Sequence, residues 1–198
     1  MIILWNEFSN EIKLENRYFV DNVDFSKLII YIETLVANYD YNNTFYRSRI
    51  QKDGENIGIK SMGAPPPNKA VSGRINPEGI SNLYLSDNMS NSISEIRPGF
   101  LDVVKVAEFQ PNQEIKIIDL TLINTISPFS FGSISETYLD YYINMRHLKY
   151  FEEDLLKPVK RSDVPLEYIP TQYICEYIKN LDMTGLSIEV QLTTGIII

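Results

Sequence analysis

Apolar residues in this chain change their spacing from stretch to stretch without settling into a regular alternation of strand and helix. Residues 2–18 and 25–38 read as helices, the second because Phe25, Leu28, Ile29, Ile32, Leu35 and Val36 recur at helical spacing behind Asp24 or Ser26 as a cap. Thr44–Ile50 alternates like a strand, Leu83–Ser86 reads as another, and Met89–Arg97 as a short helix stopped by Pro98 and Gly99. Val103–Phe109 and Glu114–Leu120 read as a hairpin of strands turning at Pro111 and Asn112. A loop over 125–132 leads into a helix, Ile134–Leu156, ended by Pro158; Thr171–Leu181 is a last helix and Leu186–Leu192 is β-like. A parallel doubly wound sheet needs strands and helices in turn, so this order favours a mixed α+β domain. Between the first two strands, Gly54 and the run Gly63-Ala64-Pro65-Pro66-Pro67-Asn68 forbid regular structure, and a loop of that length commonly carries function.

Charge and composition remove several classes of function. With 26 acidic and 18 basic residues in 198, the net charge is −8, which disfavours a duplex-binding surface because nucleic-acid affinity rests on cations neutralising phosphates. Cys175 has no second cysteine to pair with, and His147 is the only histidine, so a His/Cys metal site is not expected and a reducing cytoplasm is the natural setting. No apolar run reaches the ~18 residues of a membrane-spanning helix, and Met1–Leu4 is too short for a signal peptide. Walker and dinucleotide glycine loops are missing, as is a nucleophile elbow. Thirteen tyrosines and nine phenylalanines suit a core, and equally a pocket that stacks planar ligands.

Against this acidic background, cations gather in one place. Arg47 and Arg49 lie on the first strand, and Arg74 lies in the polar stretch Ser72–Ile80, which carries two glycines. Guanidinium forks match phosphate and carboxylate oxygens, and glycine lets a backbone approach a ligand, so one reading is a pyrophosphate or carboxylate site. The other is a solvated loop of ion pairs.

An ordered series of motifs then carries a resemblance. Phe45-Tyr46-Arg47-Ser48-Arg49, Met62-Gly63-Ala64-Pro65-Pro66, Gly73-Arg74-Ile75-Asn76-Pro77-Glu78-Gly79-Ile80, Leu83-Tyr84-Leu85-Ser86, Ser94-Glu95-Ile96-Arg97 and Tyr168-Ile169-Pro170-Thr171-Gln172-Tyr173 together resemble the RES domain over about residues 44–186. The resemblance implies residues 1–43 as an N-terminal helical segment and 44–198 as a RES domain, with an ADP-ribosyltransferase-like mixed sheet flanked by helices. It also implies a toxin of a bacterial toxin–antitoxin pair that consumes NAD by glycohydrolase, phosphorylase or ADP-ribosyl transfer chemistry, with an antitoxin protein as partner and no metal. Carried over residue by residue, the family arginine falls on Arg47, with Arg49 as the alternative; Arg74, Asn76, Tyr84 and Glu95 match the remaining positions. In that reading Arg47 and Arg74 hold the pyrophosphate, Tyr84 lies against the nicotinamide or ribose, and Glu95 stabilises an oxocarbenium-like sugar. All four would share one cleft. Nicotinamide leaves as a neutral ring, so no general acid is required.

The resemblance breaks near residue 187. Aligned on Gly185, the two family serine positions hold Val190 and Gln191, Ser187 comes three residues early, and the chain closes on the apolar tail Gly195–Ile198. One hypothesis is a one-nucleotide frameshift just before Ser187, since suitable codons for Ser187–Leu192 read Tyr-Arg-Ser-Ser-Val in the neighbouring frame; the coding strand tests it. Trp5–Phe8 and Ile12–Phe19 resemble the segment preceding the RES domain in longer two-domain proteins. The readings that remain are an active NAD-cleaving domain, a relative that binds NAD or a partner without turnover, and a purely structural domain.

Overall fold

A computed structural model describes residues 5–20, 23–127, 138–157, 164–181, 183–190 and 193–197, with side chains described only up to residue 187. The start of the helix expected from Ile134, its stop at Pro158, most of the loop over 125–132, and Gln191 lie outside these residues.

The fold is α+β: a seven-stranded mixed sheet flanked by helices. In chain order the main elements are α1 (Trp5–Leu14), α2 (Phe25–Glu33), β1 (Val36–Tyr39), β2 (Phe45–Gln51), β3 (Tyr84–Ser86), α3 (Met89–Glu95), β4 (Val103–Phe109), β5 (Ile115–Asp119), α4 (Tyr138–Leu156), α5 (Ile169–Lys179), β6 (Gly185–Val190) and β7 (Thr193–Ile197). The strand order is β1-β5-β6-β7-β3-β2-β4, with β5 and β6 parallel and every other pair antiparallel.

Strand alternation divides the apolar residues between two faces. Ile118 of β5 and Leu186 of β6, paired in register, join the main core with Phe8 and Ile12 of α1, Leu28 and Ile32 of α2, Phe151 of α4 and Ile174 of α5. The opposite face carries a smaller cluster of Phe45, Leu85, Ile115 and Ile117, with Tyr39 against it. The rings of Tyr39 and Phe45 lie 5.6 Å apart although their strands stand first and sixth in the sheet order. A flat sheet would separate them by more than 20 Å at ~4.8 Å per strand, so the sheet curls and this second face is its concave side.

Three expectations are corrected. The helix expected over 25–38 ends at Glu33, and Val36–Tyr39 is a strand paired with β5. Leu35 sits at helical spacing, but its carbonyl accepts from the Asp119 amide at 2.7 Å, so the backbone has already turned to the sheet. Val103–Phe109 and Ile115–Asp119 are strands but not a hairpin: β4 forms the far edge beside β2, while β5 lies between β1 and β6. Burial explains the separation, since Ile115, Ile117 and Ile118 are covered on both faces, whereas Val103 and Val106 are exposed, as an edge strand tolerates. Lastly, the apolar tail from Gly195 falls in β7, which fills the centre of the sheet between β6 and β3.

Candidate functional site

The motif segments meet in space. Both arginines of β2 are held by the backbone that leads into the proline run: Arg47 Nη1 donates to the carbonyls of Met62 (3.2 Å) and Gly63 (2.6 Å), and Arg49 Nη1 to that of Ser61 (2.6 Å). Arg49 has a carboxylate nearby, Glu55 at 3.8 Å, but Arg47 has none within ion-pair distance among the described residues. Half-burial, and then the positive charge of Arg49, pull the Arg47 pKa downward, the signature of a cation short of counter-charge.

The second arginine stretch is pinned from inside. Asn76 is buried, its amide nitrogen donating to the carbonyls of Val71, Pro77 and Ile80 at 3.0–3.2 Å while its oxygen accepts from the Tyr84 hydroxyl at 2.7 Å. On α5, Gln172 Nε2 donates to Ser72 Oγ and to the carbonyls of Gly73 and Asn76, and Thr171 Oγ1 to that of Arg74. The amide of Asn76 thus binds the protein itself. Its neighbour Arg74 turns outward, with its guanidinium 5.1 Å over the Tyr168 ring, into a cleft of about 440 Å³ between α1 and the end of α4, bordered by Trp5, Lys13, Tyr150, Asp154 and Glu167.

Strand alternation separates Arg47 from Tyr84, two of the four residues expected to share one cleft, and Arg74 lines a different cleft. Tyr46 pairs with Ser86, which sets Arg47 beside Leu85 on the concave face and turns Tyr84 to the helix side. There Tyr84 is 42% exposed as a residue, but its hydroxyl is enclosed, and burial followed by the Cys175 side chain pushes the phenol up to about 12. Cys175 itself is a buried core residue whose thiol burial pushes upward. Glu95 ends α3, a helix joined to β2 by the Ser48–Ser92 hydroxyl contact at 2.6 Å; it is exposed, and partial desolvation followed by the Asp87 carboxylate raises its pKa.

Three residues that sequence reasoning did not assemble share the concave face with Arg47. Asp119 pairs with Ser187, Ser187 with Ile196, and Ile196 with Leu85, which sits beside Arg47, so one row crosses five strands. Ser187 is 0% exposed, and its hydroxyl meets no strict hydrogen-bond geometry among the described residues, although it lies near enough to the Tyr39 phenol to lower that group's pKa. The third is Tyr39, paired with Ile115; burial and then the Asp119 carboxylate raise its phenol, while Ser187 pulls it the other way. A lone aspartate ending the strand Ile115-Lys116-Ile117-Ile118 was the signal available in sequence.

No protein-family model matches the chain, and no curated protein is similar to it. Among solved structures, it is similar to a chain in the crystal structure of the M. tuberculosis MbcT-MbcA toxin-antitoxin complex. The identity is 13% and the TM-score 0.47, covering 87% of this chain and 81% of that one. Among the described residues, no group of three or more His, Cys, Asp or Glu side chains stands together as a metal site, and no helix is long and apolar enough to cross a membrane.

Proposed function

We propose that this chain is a RES-type domain that binds NAD and breaks its nicotinamide–ribose bond, acting as the toxin of a toxin–antitoxin pair. The observation that carries the reading is the arginine pair of β2: two guanidiniums on one strand face, braced by carbonyls, with no carboxylate on Arg47 among the described residues. A pyrophosphate supplies the missing negative charge in bidentate geometry. The motifs resembling the RES domain supply the rest. As the C1′–N bond breaks, its electron pair passes to the nicotinamide nitrogen and the ribose becomes oxocarbenium-like. Glu95 is the carboxylate assigned to that charge, reached from the end of α3, and its raised pKa places it in a partly dehydrated setting. Water, phosphate or a protein side chain then adds to C1′ and gives up a proton. Tyr84 and Asn76 act by holding the 70–82 segment, and Arg74 lines a separate cleft.

The test is nicotinamide release from NAD by the full chain, with and without phosphate, beside Glu95→Gln. The expected result is a rate two to three decades lower in the variant, roughly the effect of deleting one charge-stabilising contact; equal rates remove Glu95 from the chemistry. A second reading, binding without turnover, is favoured by Val190 and Gln191 at the serine positions of the resemblance. It predicts saturable NAD binding with no nicotinamide released.

A further inference from the structure

The edge strand β4 runs beside the arginines of β2 in full register, with Phe109, Ala107 and Lys105 standing opposite Phe45, Arg47 and Arg49. Residues directly opposite in an antiparallel pair send their side chains to the same face, about 5 Å apart at Cβ, and the diagonal neighbour stands at about 7–8 Å. Lys105 is therefore beside Arg49 and diagonal to Arg47, on the face that both arginines occupy. We infer that Lys105 is a third cation of the phosphate site, closing around a bound pyrophosphate from β4 while Arg47 and Arg49 hold it from β2; the inference rests on the NAD reading above.

Charge is the first ground. Like charges directly opposite one another destabilise a strand pair, and a chain with 26 acidic residues has ample means of relieving one. Glu55 answers Arg49 alone, at 3.8 Å, and among the described residues no carboxylate lies within ion-pair distance of Lys105 or Arg47. Access is the second. The Arg49–Lys105 pair stands four residues along the ladder from Phe45 and Phe109, about 13 Å from the apolar cluster they belong to. Lys105 is exposed, the Arg49 side chain is 39% exposed, and β4 is the last strand of the sheet, so a ligand reaches the pair from solvent. Between Lys105 and Phe109 the same face of β4 carries only the methyl group of Ala107, opposite Arg47, and no bulky side chain of that strand stands between the ammonium and the Arg47 guanidinium. A pyrophosphate, with two anionic groups on one bridging oxygen, meets cations on both strands at once, which a single carboxylate does not.

ADP-ribose keeps both phosphates and has no nicotinamide bond to break, so its equilibrium affinity for the full chain, read by titration calorimetry, tests the site without turnover. Wild type is compared with Lys105→Gln and with Lys116→Gln, which removes the same charge from an exposed position on β5, toward the other side of the sheet; thermal melts verify folding. Lys105→Gln is expected to bind about fivefold more weakly, the worth of one exposed charge contact, and Lys116→Gln to bind as wild type does. A lysine on an edge strand also serves to keep the strands of neighbouring molecules apart. If that is its whole role, Lys105→Gln binds ADP-ribose as wild type does, and the inference is overturned while the NAD reading stands. Equal weakening in both variants overturns it in the same way, since the effect is then one of net charge. Binding of NAD but not of ADP-ribose by wild type also overturns the inference alone, and binding of neither overturns both.

Discussion

Arg47 illustrates how a single residue can be legible in type and illegible in direction. A pair of arginines on one strand of an acidic chain raises two readings in sequence, an anion site or a solvated ion-pair surface, and both side chains lie on one face. Arg74 carries the same charge and a matching motif, yet its backbone is fastened to α5 through Thr171 and Gln172, and its side chain turns to another cleft. Nothing in the spacing of Gly73-Arg74-Ile75-Asn76 reveals which way that side chain leaves. Asn76 was legible as special, but its amide is consumed by three carbonyls and a phenol. Gly79 is the clearest conformational requirement in that stretch: its φ is +84°, and the Ile80 amide donates to Pro77 at 3.2 Å across the turn. Space for a methyl group exists there, so the penalty is backbone strain alone. Gly79→Ala is expected to cost ~1 kcal/mol, measured by denaturant unfolding, and a neutral result would mean the turn relaxes freely.

At the scale of elements, local signals worked where periodicity and burial agreed. The cap of α2 is Asp24, whose carboxylate accepts the Lys27 amide at 3.2 Å and whose pKa is lowered first by the Ser26 hydroxyl and then by that amide. The end of α2 was hidden, because Leu35 and Val36 continue a helical spacing while serving a strand. β4 and β5 were legible as strands, but proximity in sequence suggested a hairpin that long-range pairing overrides. The union of the 72–76 segment with α5 is a tertiary fact of the same kind, resting largely on one glutamine. Gln172→Ala removes its three hydrogen bonds and takes the donor from the Gly73 carbonyl, while the Asn76 carbonyl keeps the Gly73 amide, so a loss of ~1–3 kcal/mol is expected. Hydrogen exchange should accelerate at the amides of residues 73–79 while α4 keeps its protection; unchanged exchange there would show that the segment is held by other contacts.

For the whole molecule, the mixed α+β class follows from the irregular order of elements, whereas the curl depends on β1 and β2, joined by only residues 40–44, ending up at nearly opposite sides of the sheet. The row from Asp119 through Ser187, Ile196 and Leu85 to Arg47 required the full register of five strands to see. The central claim is that this concave face holds NAD by its phosphates through β2. The most direct measurement is the equilibrium affinity for NAD of wild type against Arg47→Ala, with melting temperatures compared. The account predicts saturable binding weakened roughly 10- to 100-fold in the variant, the worth of a charge-assisted hydrogen-bonded pair, at a nearly unchanged melting temperature. Equal affinity in the two proteins, or no binding by wild type, would contradict it.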